Sequence, residues 1–408
     1  MLVKKNKYLI LYSLFLFVIA AIYGLLLRWN FVFPSKIISY KNVLQGHSHV
    51  AFLGWGYLAT IGIILKLFIT KDKKLHKTYK WALAIICITI FLMLISFISS
   101  GYKVFSIGLL SIFGIVSYVL SFRILKDLTL KKTSEKLVRT GIYYYLLSSL
   151  ATWFLAFVIV TQGKTELYYN SVYFYLHFLY NGFFVFVLFG ILFKILENQE
   201  ITISERLKKH FFVFLNLACV PAYTLSILWS TNNLVFNNIG FLAAILQLIS
   251  LVFLIKILKQ AYVQLQWNYI SKLLLKFAMV AYSLKIIAQI ASSFPYFVKK
   301  SLALKPFFII GYLHLFTLAF MSVFVLLILN QLKFISFKKF GSKIGIGLFL
   351  LGILLTELLL FLQGFLILFH FNAINYYNQL LLVASLLIVI GLIFVVISQI
   401  IKYKNSII

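Results

Sequence analysis

The sequence is poor in charge, and above all in acidic residues. Only 8 of its 408 residues are Asp or Glu, against 38 Lys or Arg, and charged residues make up 11% of the chain. A soluble domain carries about 25% charged residues. Hydrophobic residues reach 63%, so a soluble fold would expose large apolar patches. This composition excludes a cytosolic enzyme, a DNA-binding domain and a disordered tail, and it indicates a polytopic membrane protein.

Cysteine and proline are also scarce. Cys87 and Cys219 lie in separate apolar segments and neither has a CxxC neighbour, which argues against a disulfide framework or a zinc site. Both are expected to be small buried side chains. Few of the predicted helix interiors are interrupted by glycine or proline, whereas broken helices are typical of many transporters.

The formal net charge of +30 does not indicate a nucleic-acid partner, because the lysines lie in short runs between long apolar stretches. A spanning helix needs about 20 apolar residues. The sequence predicts an all-α membrane bundle of twelve transmembrane helices in a single integral domain, 1–408, whose main partner is the lipid bilayer. The predicted spans are 8–27, 46–69, 81–100, 104–125, 140–161, 172–193, 211–230, 239–258, 273–294, 307–329, 344–369 and 380–401.

The basic clusters predict the orientation of these spans. Residues 71–80, 126–139 and 338–343 are rich in Lys and Arg, and each cluster connects an even-numbered span to the next odd-numbered one. Cytoplasmic loops carry such an excess of basic residues. We therefore expect both termini to be cytoplasmic in a bacterial-type plasma membrane, with the first span retained rather than cleaved as a signal peptide.

Five of the seven histidines fall at the predicted outer ends of spans, where an ionisable group needs a partner or a function. His49, His177 and His314 recur at intervals of four spans and are expected to share one layer near the outer boundary; His47 and His370 are the other two. Because His47 and His49 are about 200° apart on a helix, they are not expected to bind the same metal. His49 is the preferred ligand, and His370 has an interfacial role. Gly46 is expected to keep His47 outside the helix, where it faces the aqueous boundary; the alternative is that His47 is a ligand or a supporting residue.

The segments after the three recurring histidines resemble one another: HVAFLGWG, HFLYNGFF and HLFTLAFM. In each, a small residue stands five positions after the histidine, and an aromatic residue follows it. Such recurrence predicts three four-helix modules, 1–139, 140–272 and 273–408. Imidazole suits iron and copper. The small residues leave room either for a flat macrocycle or for a neighbouring helix. The small residues are Gly54, Gly182 and Ala319, and the aromatic ones are Trp55, Phe183 and Phe320.

The stretches GHSHVAFLGWG, FYLHFLYNG and GYLHLFTLAFM on spans 2, 6 and 10 resemble the histidine-bearing helices of the haem-copper oxidase core subunit (subunit I) and of nitric-oxide reductases. The resemblance implies a haem b held by His49 and His314, with His47 in the cofactor-binding set. It also implies copper as a second metal and a redox partner protein or subunit. Span 7 has no histidine and span 10 has only one, so the binuclear centre is incomplete. His177 is then either an orphan or the ligand of a second metal.

The sequence therefore predicts a haem- or metal-binding redox or gas-handling protein, oxidoreductase-like if it is an enzyme, with His49, His177 and His314 as metal ligands. The alternative is a secondary transporter or flippase for an anionic or lipid-linked substrate, with Lys276, Lys285 and Glu357 along its path. Glu357 is the one acidic residue placed inside a predicted span. It is either a proton carrier or a neutral, hydrogen-bonded acid.

Overall fold

The structure is a computed structural model that describes residues 2–34, 39–74 and 76–404. Every regular element in these residues is a helix, which confirms the all-α class. Within these residues, eleven helices are long and apolar enough to cross a membrane, and the number is twelve if one bent pair is a single span. The protein is thus a multi-pass membrane bundle. The spans, numbered in chain order, are α1 (Leu2–Val32), α2 (Tyr40–Leu67), α3 (Lys77–Ser100), α4 (Val104–Asp127), α5 (Thr133–Thr161), α6 (Glu166–Asn198), α7 (Glu205–Cys219 with Pro221–Ser230), α8 (Leu234–Gln264), α9 (Tyr269–Ser292), α10 (Lys305–Gln331), α11 (Phe340–Leu368) and α12 (Tyr377–Lys404).

Each predicted span overlaps one of these helices, but most helices extend beyond the apolar run. The start of α5 shows why. The carboxylate of Glu135 accepts hydrogen bonds from the backbone N–H groups of Lys131 (2.7 Å) and Lys132 (3.2 Å). The first N–H groups of a helix need such acceptors. Polar residues therefore begin α5 at Thr133, ahead of the apolar segment that was predicted from residue 140.

The seventh span is bent by 45° at Pro221. Proline has no N–H to donate within a helix, and its ring clashes with the preceding turn. The helix consequently ends at Cys219 and resumes as short helical turns up to Ser230. The prediction of one uninterrupted span over 211–230 is therefore wrong at Pro221.

Three spans contain a π-helical segment among the residues that the structure describes. These segments are Val50–Tyr57 in α2, Phe178–Phe184 in α6 and Leu315–Ser322 in α10. Each begins directly after one of the recurring histidines, His49, His177 and His314. Each also packs against the preceding span, which is α1, α5 and α9 respectively. The four-span interval in the sequence thus corresponds to a recurring local structure.

The chain forms two compact units. Unit 1 comprises Met1–Asp127 and Val325–Ile408, and unit 2 comprises Leu128–Phe324. Unit 1 contains α1 to α4, α11 and α12, while unit 2 contains α5 to α9 and the histidine-bearing part of α10. Within unit 2, α6 is buried from His177 to Leu196 except at Lys194, whereas most of its first eleven residues are exposed or half-buried. The three-module division at residues 139 and 272 remains a prediction.

Candidate functional site

His47 is held against α1 within unit 1. Its Nδ1 lies 2.8 Å from the carbonyl oxygen of Ala20, which can only accept, so Nδ1 carries the proton. One turn further along α1, Gly24 faces the ring: a Cβ at this position would lie 3.1 Å from Cε1 of His47. In a neutral imidazole with Nδ1 protonated, Nε2 retains its lone pair. A backbone carbonyl on Nδ1–H is the usual support of a metal-binding histidine.

His49 points elsewhere, as the rotation between two positions on a helix predicts. Its Nε2 lies 2.6 Å from the hydroxyl oxygen of Tyr102, just beyond the end of α3. Its ring stacks on Phe97 with 4.5 Å between the centroids. The preferred ligand of the sequence analysis therefore has its Nε2 in a hydrogen bond to a phenol, whereas His47 has the tautomer that suits a metal.

His177 is buried in unit 2, with 4% of its surface exposed. Its Nε2 donates to the carbonyl oxygen of Cys219, at 2.8 Å, and its Nδ1 accepts from Nδ2 of Asn181, at 3.3 Å. Both ring nitrogens are engaged by protein groups. Asn181 was not singled out in the sequence, although it stands four positions after the histidine and therefore on the same face of the helix.

His314 lies on α10 immediately before the third π-helical segment. The ring of Phe316, within this segment, stacks on Tyr180 in the π-helical segment of α6, with 5.1 Å between the centroids. The second and third π-helical segments are therefore in direct contact inside unit 2. His370, in contrast, ends α11 in an exposed position with a left-handed backbone (φ 61°).

The small residues after the histidines receive neighbouring helices. A Cβ on Gly54 would lie 3.0 Å from Leu16 of α1, and one on Gly182 would lie 2.5 Å from the Cβ of Tyr144 on α5. The aromatic residue that follows Gly54, Trp55, stacks on Phe17 at 4.4 Å between ring centroids. Of the two uses weighed for these glycines, the structure favours helix packing.

A protein-only metal centre has no donor set among the described residues, where no three His, Cys, Asp or Glu side chains are placed to hold one ion. A copper ion with three protein ligands does not fit these residues. A haem has different needs, because its porphyrin supplies four nitrogen ligands and the protein supplies one or two axial ones. His47 fits the requirement for an axial imidazole.

Lys285 is one of the largest fully buried side chains of the protein, with 1% of its surface exposed. Its ammonium group donates to Oε1 of Gln247 on α8 at 2.9 Å and lies 5.6 Å from the ring centroid of Tyr282. Lys276, on the opposite side of α9, is exposed. The two lysines predicted along a transport path therefore differ, since Lys285 is buried in the bundle and Lys276 is exposed.

Cys219 links His177 to Lys285. Both cysteines are free, and the thiol of Cys219 lies near Lys285 and Tyr282, while its backbone carbonyl accepts the hydrogen bond from His177. His177, Cys219, Tyr282 and Lys285 thus belong to one buried polar cluster in unit 2. The sequence alone does not group these residues, because the contacts that unite them join α6, α7 and α9.

Glu357 is buried in α11, with 8% of its surface exposed. Neither carboxyl oxygen has a hydrogen-bond partner within the described residues, and Arg28 of α1 interacts with the group electrostatically. Gln363, further along α11, accepts instead from the backbone N–H of Ile374 at 2.8 Å. Glu357 therefore lies buried within a long apolar helix, and the described residues supply no hydrogen bond to it. Its role as a proton carrier stays a prediction.

Comparison of the chain with protein-family models and with curated proteins gave no match.

Proposed function

We propose that the protein binds haem in the membrane and acts in redox chemistry or in the handling of a small gas. The recurrence of one local arrangement carries this proposal: His49, His177 and His314 each stand directly before a π-helical segment. π-Helical turns are rare and occur frequently at functional sites. Three of them, at equivalent positions behind three histidines, support a specialised function more strongly than any single histidine does.

We assign the axial ligand on α2 to His47, because its Nδ1–H···O=C bond to Ala20 leaves Nε2 available. His49 is the second choice on this helix. His314 remains the predicted ligand from α10 and is tested separately. A bound haem would supply an iron that changes oxidation state or binds a diatomic gas. Since His177 already has both nitrogens bonded, it is not included as a copper ligand.

The proposal includes a location and a partner. Basic loop clusters support a plasma-membrane protein with both termini in the cytoplasm. A haem that turns over needs an electron donor, so a redox partner protein or a further subunit belongs to the proposal. A net charge of +30 favours an acidic docking face on such a partner.

The test is a reduced-minus-oxidised absorption spectrum of the full chain, purified in detergent from haem-replete cells. The wild type is expected to show a Soret band and b-type peaks. These are lost in His47→Ala and kept in the matched control His370→Ala, which removes an exposed histidine. The same spectrum of His314→Ala tests the ligand predicted on α10 by itself. Loss in His49→Ala with retention in His47→Ala would move the ligand to His49. A colourless wild type refutes the proposal.

Transport of an anionic substrate is the second candidate, and one observation favours it. Lys285 and Glu357 are buried inside spans, and neither takes part in an ion pair within hydrogen-bonding reach among the described residues. Ionisable groups in such places mark substrate or proton pathways in many membrane proteins. This candidate predicts uptake of radiolabelled formate into proteoliposomes, lost in Lys285→Ala and kept in Lys276→Ala. A wild type that takes up no anion contradicts it.

A further inference from the structure

One face of α9 is polar although it is buried. Tyr282, Lys285 and Gln289 are spaced by three and four positions, which places them on the same side of a helix. All three are almost fully buried in unit 2. Gln247 of α8 faces them and accepts the hydrogen bond from Lys285. A membrane helix whose buried face served only for packing would have apolar residues on that face.

The positive charge of this face has no counter-charge beside it. The ion pairs of unit 2 join Lys132 to Glu197, Lys194 to Glu135, and Lys208 to Glu205, all near helix ends. No carboxylate in the described residues pairs with Lys285. Removing a cation from water without an anion is costly, and a hydrogen bond to a neutral amide compensates only part of that cost.

Hydrogen-bond donors exceed acceptors around Lys285. Its ammonium group has three N–H bonds, and the structure gives a hydrogen bond to one acceptor, Oε1 of Gln247. Nε2 of the same amide and the hydroxyl of Tyr282 are buried without a partner among the described residues. Oε1 of Gln289, one turn further along α9, is a buried acceptor without a partner, but the donor groups of Lys285, Gln247 and Tyr282 outnumber it. Buried polar groups are nearly always paired, so these donors indicate a missing acceptor.

We propose that Lys285, Gln247 and Tyr282 form a binding site for a small monovalent oxyanion, of the size and shape of formate, nitrite or nitrate. One negative charge balances the single ammonium group. Two or three oxygens on a planar centre satisfy donors from three side chains at once. The apolar rings of Phe189 and Phe320, which pack against Tyr282 at 5.1 and 4.9 Å between centroids, limit the ligand to a small one. The inference does not depend on haem.

Equilibrium dialysis of the full detergent-solubilised chain against radiolabelled formate tests the site, at constant ionic strength with gluconate as the replacing anion. We expect saturable binding of about one formate per chain, from one ammonium group per site. Lys285→Gln removes the charge and is expected to weaken binding about ten-fold or more, as for the loss of a charged hydrogen bond. Lys276→Gln removes an exposed lysine of the same helix and is expected to leave the affinity unchanged.

Tyr282→Phe and Gln247→Leu test the site independently, in case the Lys285 variant does not fold. Each removes donors while keeping most of the side-chain volume, and each is expected to weaken formate binding severalfold. A wild type that binds no formate, nitrite or nitrate overturns the proposal. Equal loss in Lys276→Gln, or unchanged affinity in both Tyr282→Phe and Gln247→Leu, also overturns it.

The same experiment distinguishes failure of the haem proposal from failure of the oxyanion site. Haem content is measured on the same samples, and formate that binds to haem iron is recognised because it shifts the Soret band. A haem-free chain that binds formate through Lys285 refutes the proposed function and supports this site. A haem-containing chain that fails to bind an oxyanion in the dialysis refutes the site alone.

Discussion

At Gly182 there is no room for a Cβ, because Tyr144 of α5 occupies that space. Substitution of this glycine is therefore expected to destabilise the fold. An added methyl group would lie 2.5 Å from the Cβ of Tyr144, an atom that moves only with its backbone. Gly182→Ala is expected to lower the free energy of unfolding by about 1–3 kcal/mol, the usual cost of overpacking. Detergent unfolding followed by circular dichroism measures it.

Gly108 is the matched control, because no atom lies within 4 Å of a Cβ added there. Alanine is favoured over glycine in a helix by about 1 kcal/mol, so Gly108→Ala is expected to keep or raise stability. Equal destabilisation by the two substitutions would contradict the close approach of α5 and α6 at Gly182.

Lys285 supports a second prediction at this scale, on stability rather than on binding. In buffer with gluconate as the anion, Lys285→Met combined with Gln247→Leu replaces a buried ammonium group and its amide by apolar side chains of similar volume. The free energy of unfolding is expected to rise by about 1–4 kcal/mol. Lys276→Met, at an exposed site, is expected to change it by less than about 0.5 kcal/mol. A destabilised double variant would mean that the ammonium group is compensated in the fold.

The sequence indicated that Lys285 and Gln289 share a face of α9, since they are four positions apart. It did not indicate that this face is buried and the face of Lys276 exposed. Both sides of α9 consist mostly of apolar residues, because the outer surface of a membrane helix contacts lipid. Burial in the bundle is decided by the neighbours, here Gln247 of α8.

At the scale of elements, the first turn of α5 depends on Glu135. Its carboxylate accepts the backbone N–H groups of Lys131 and Lys132, and it pairs with Lys194 of α6 at 3.5 Å. Glu135→Ala is expected to lower the free energy of unfolding by about 1–2 kcal/mol, as for the loss of a helix cap. Chemical unfolding in detergent measures it.

Glu205 provides the comparison for Glu135, since it also stands at the start of a helix but has 73% of its side chain exposed. Surface ion pairs contribute little, so Glu205→Ala is expected to cost less than about 1 kcal/mol. If Glu205→Ala were the more costly substitution, the network at the start of α5 would not have the importance that we give it.

Span length and position could be predicted at this scale, because about 20 consecutive apolar residues are needed to cross a bilayer. The π-helical segments could not. Residues 50–57 are apolar in either helix type, and the difference lies in whether each N–H bonds four or five residues back. The bend of α7 could be predicted from Pro221. It was not predicted, because residues 211–230 are apolar enough to form one continuous span.

For the whole molecule, the orientation of the spans gives a prediction that single cysteines can test. In a background with Cys87→Ser and Cys219→Ala, Lys164→Cys lies in the connection from α5 to α6, predicted to be outside. Lys131→Cys lies in the connection from α4 to α5, predicted to be cytoplasmic; both positions are exposed. A membrane-impermeant maleimide added to intact cells is expected to label residue 164, and residue 131 only after permeabilisation. The reverse labelling pattern would show that the orientation of the spans is opposite to the predicted one.

Sequence reasoning found the histidines because imidazole is rare and costly in a membrane. The sequence does not decide what each histidine does. A protonated ring nitrogen can donate a hydrogen bond to a backbone carbonyl, and an unprotonated one can bind a metal. His177 shows the first use, with the carbonyl of Cys219. His47 and His49, two positions apart, differ only in their neighbours, the carbonyl of Ala20 and the hydroxyl of Tyr102.

The most direct test of the account is the haem content of the purified full chain, measured as the pyridine haemochromogen and divided by the protein concentration. We predict at least one b-type haem per chain from haem-replete cells, with a clear loss in His47→Ala and none in His370→Ala. A wild type without stoichiometric haem, prepared under the same conditions, would contradict it.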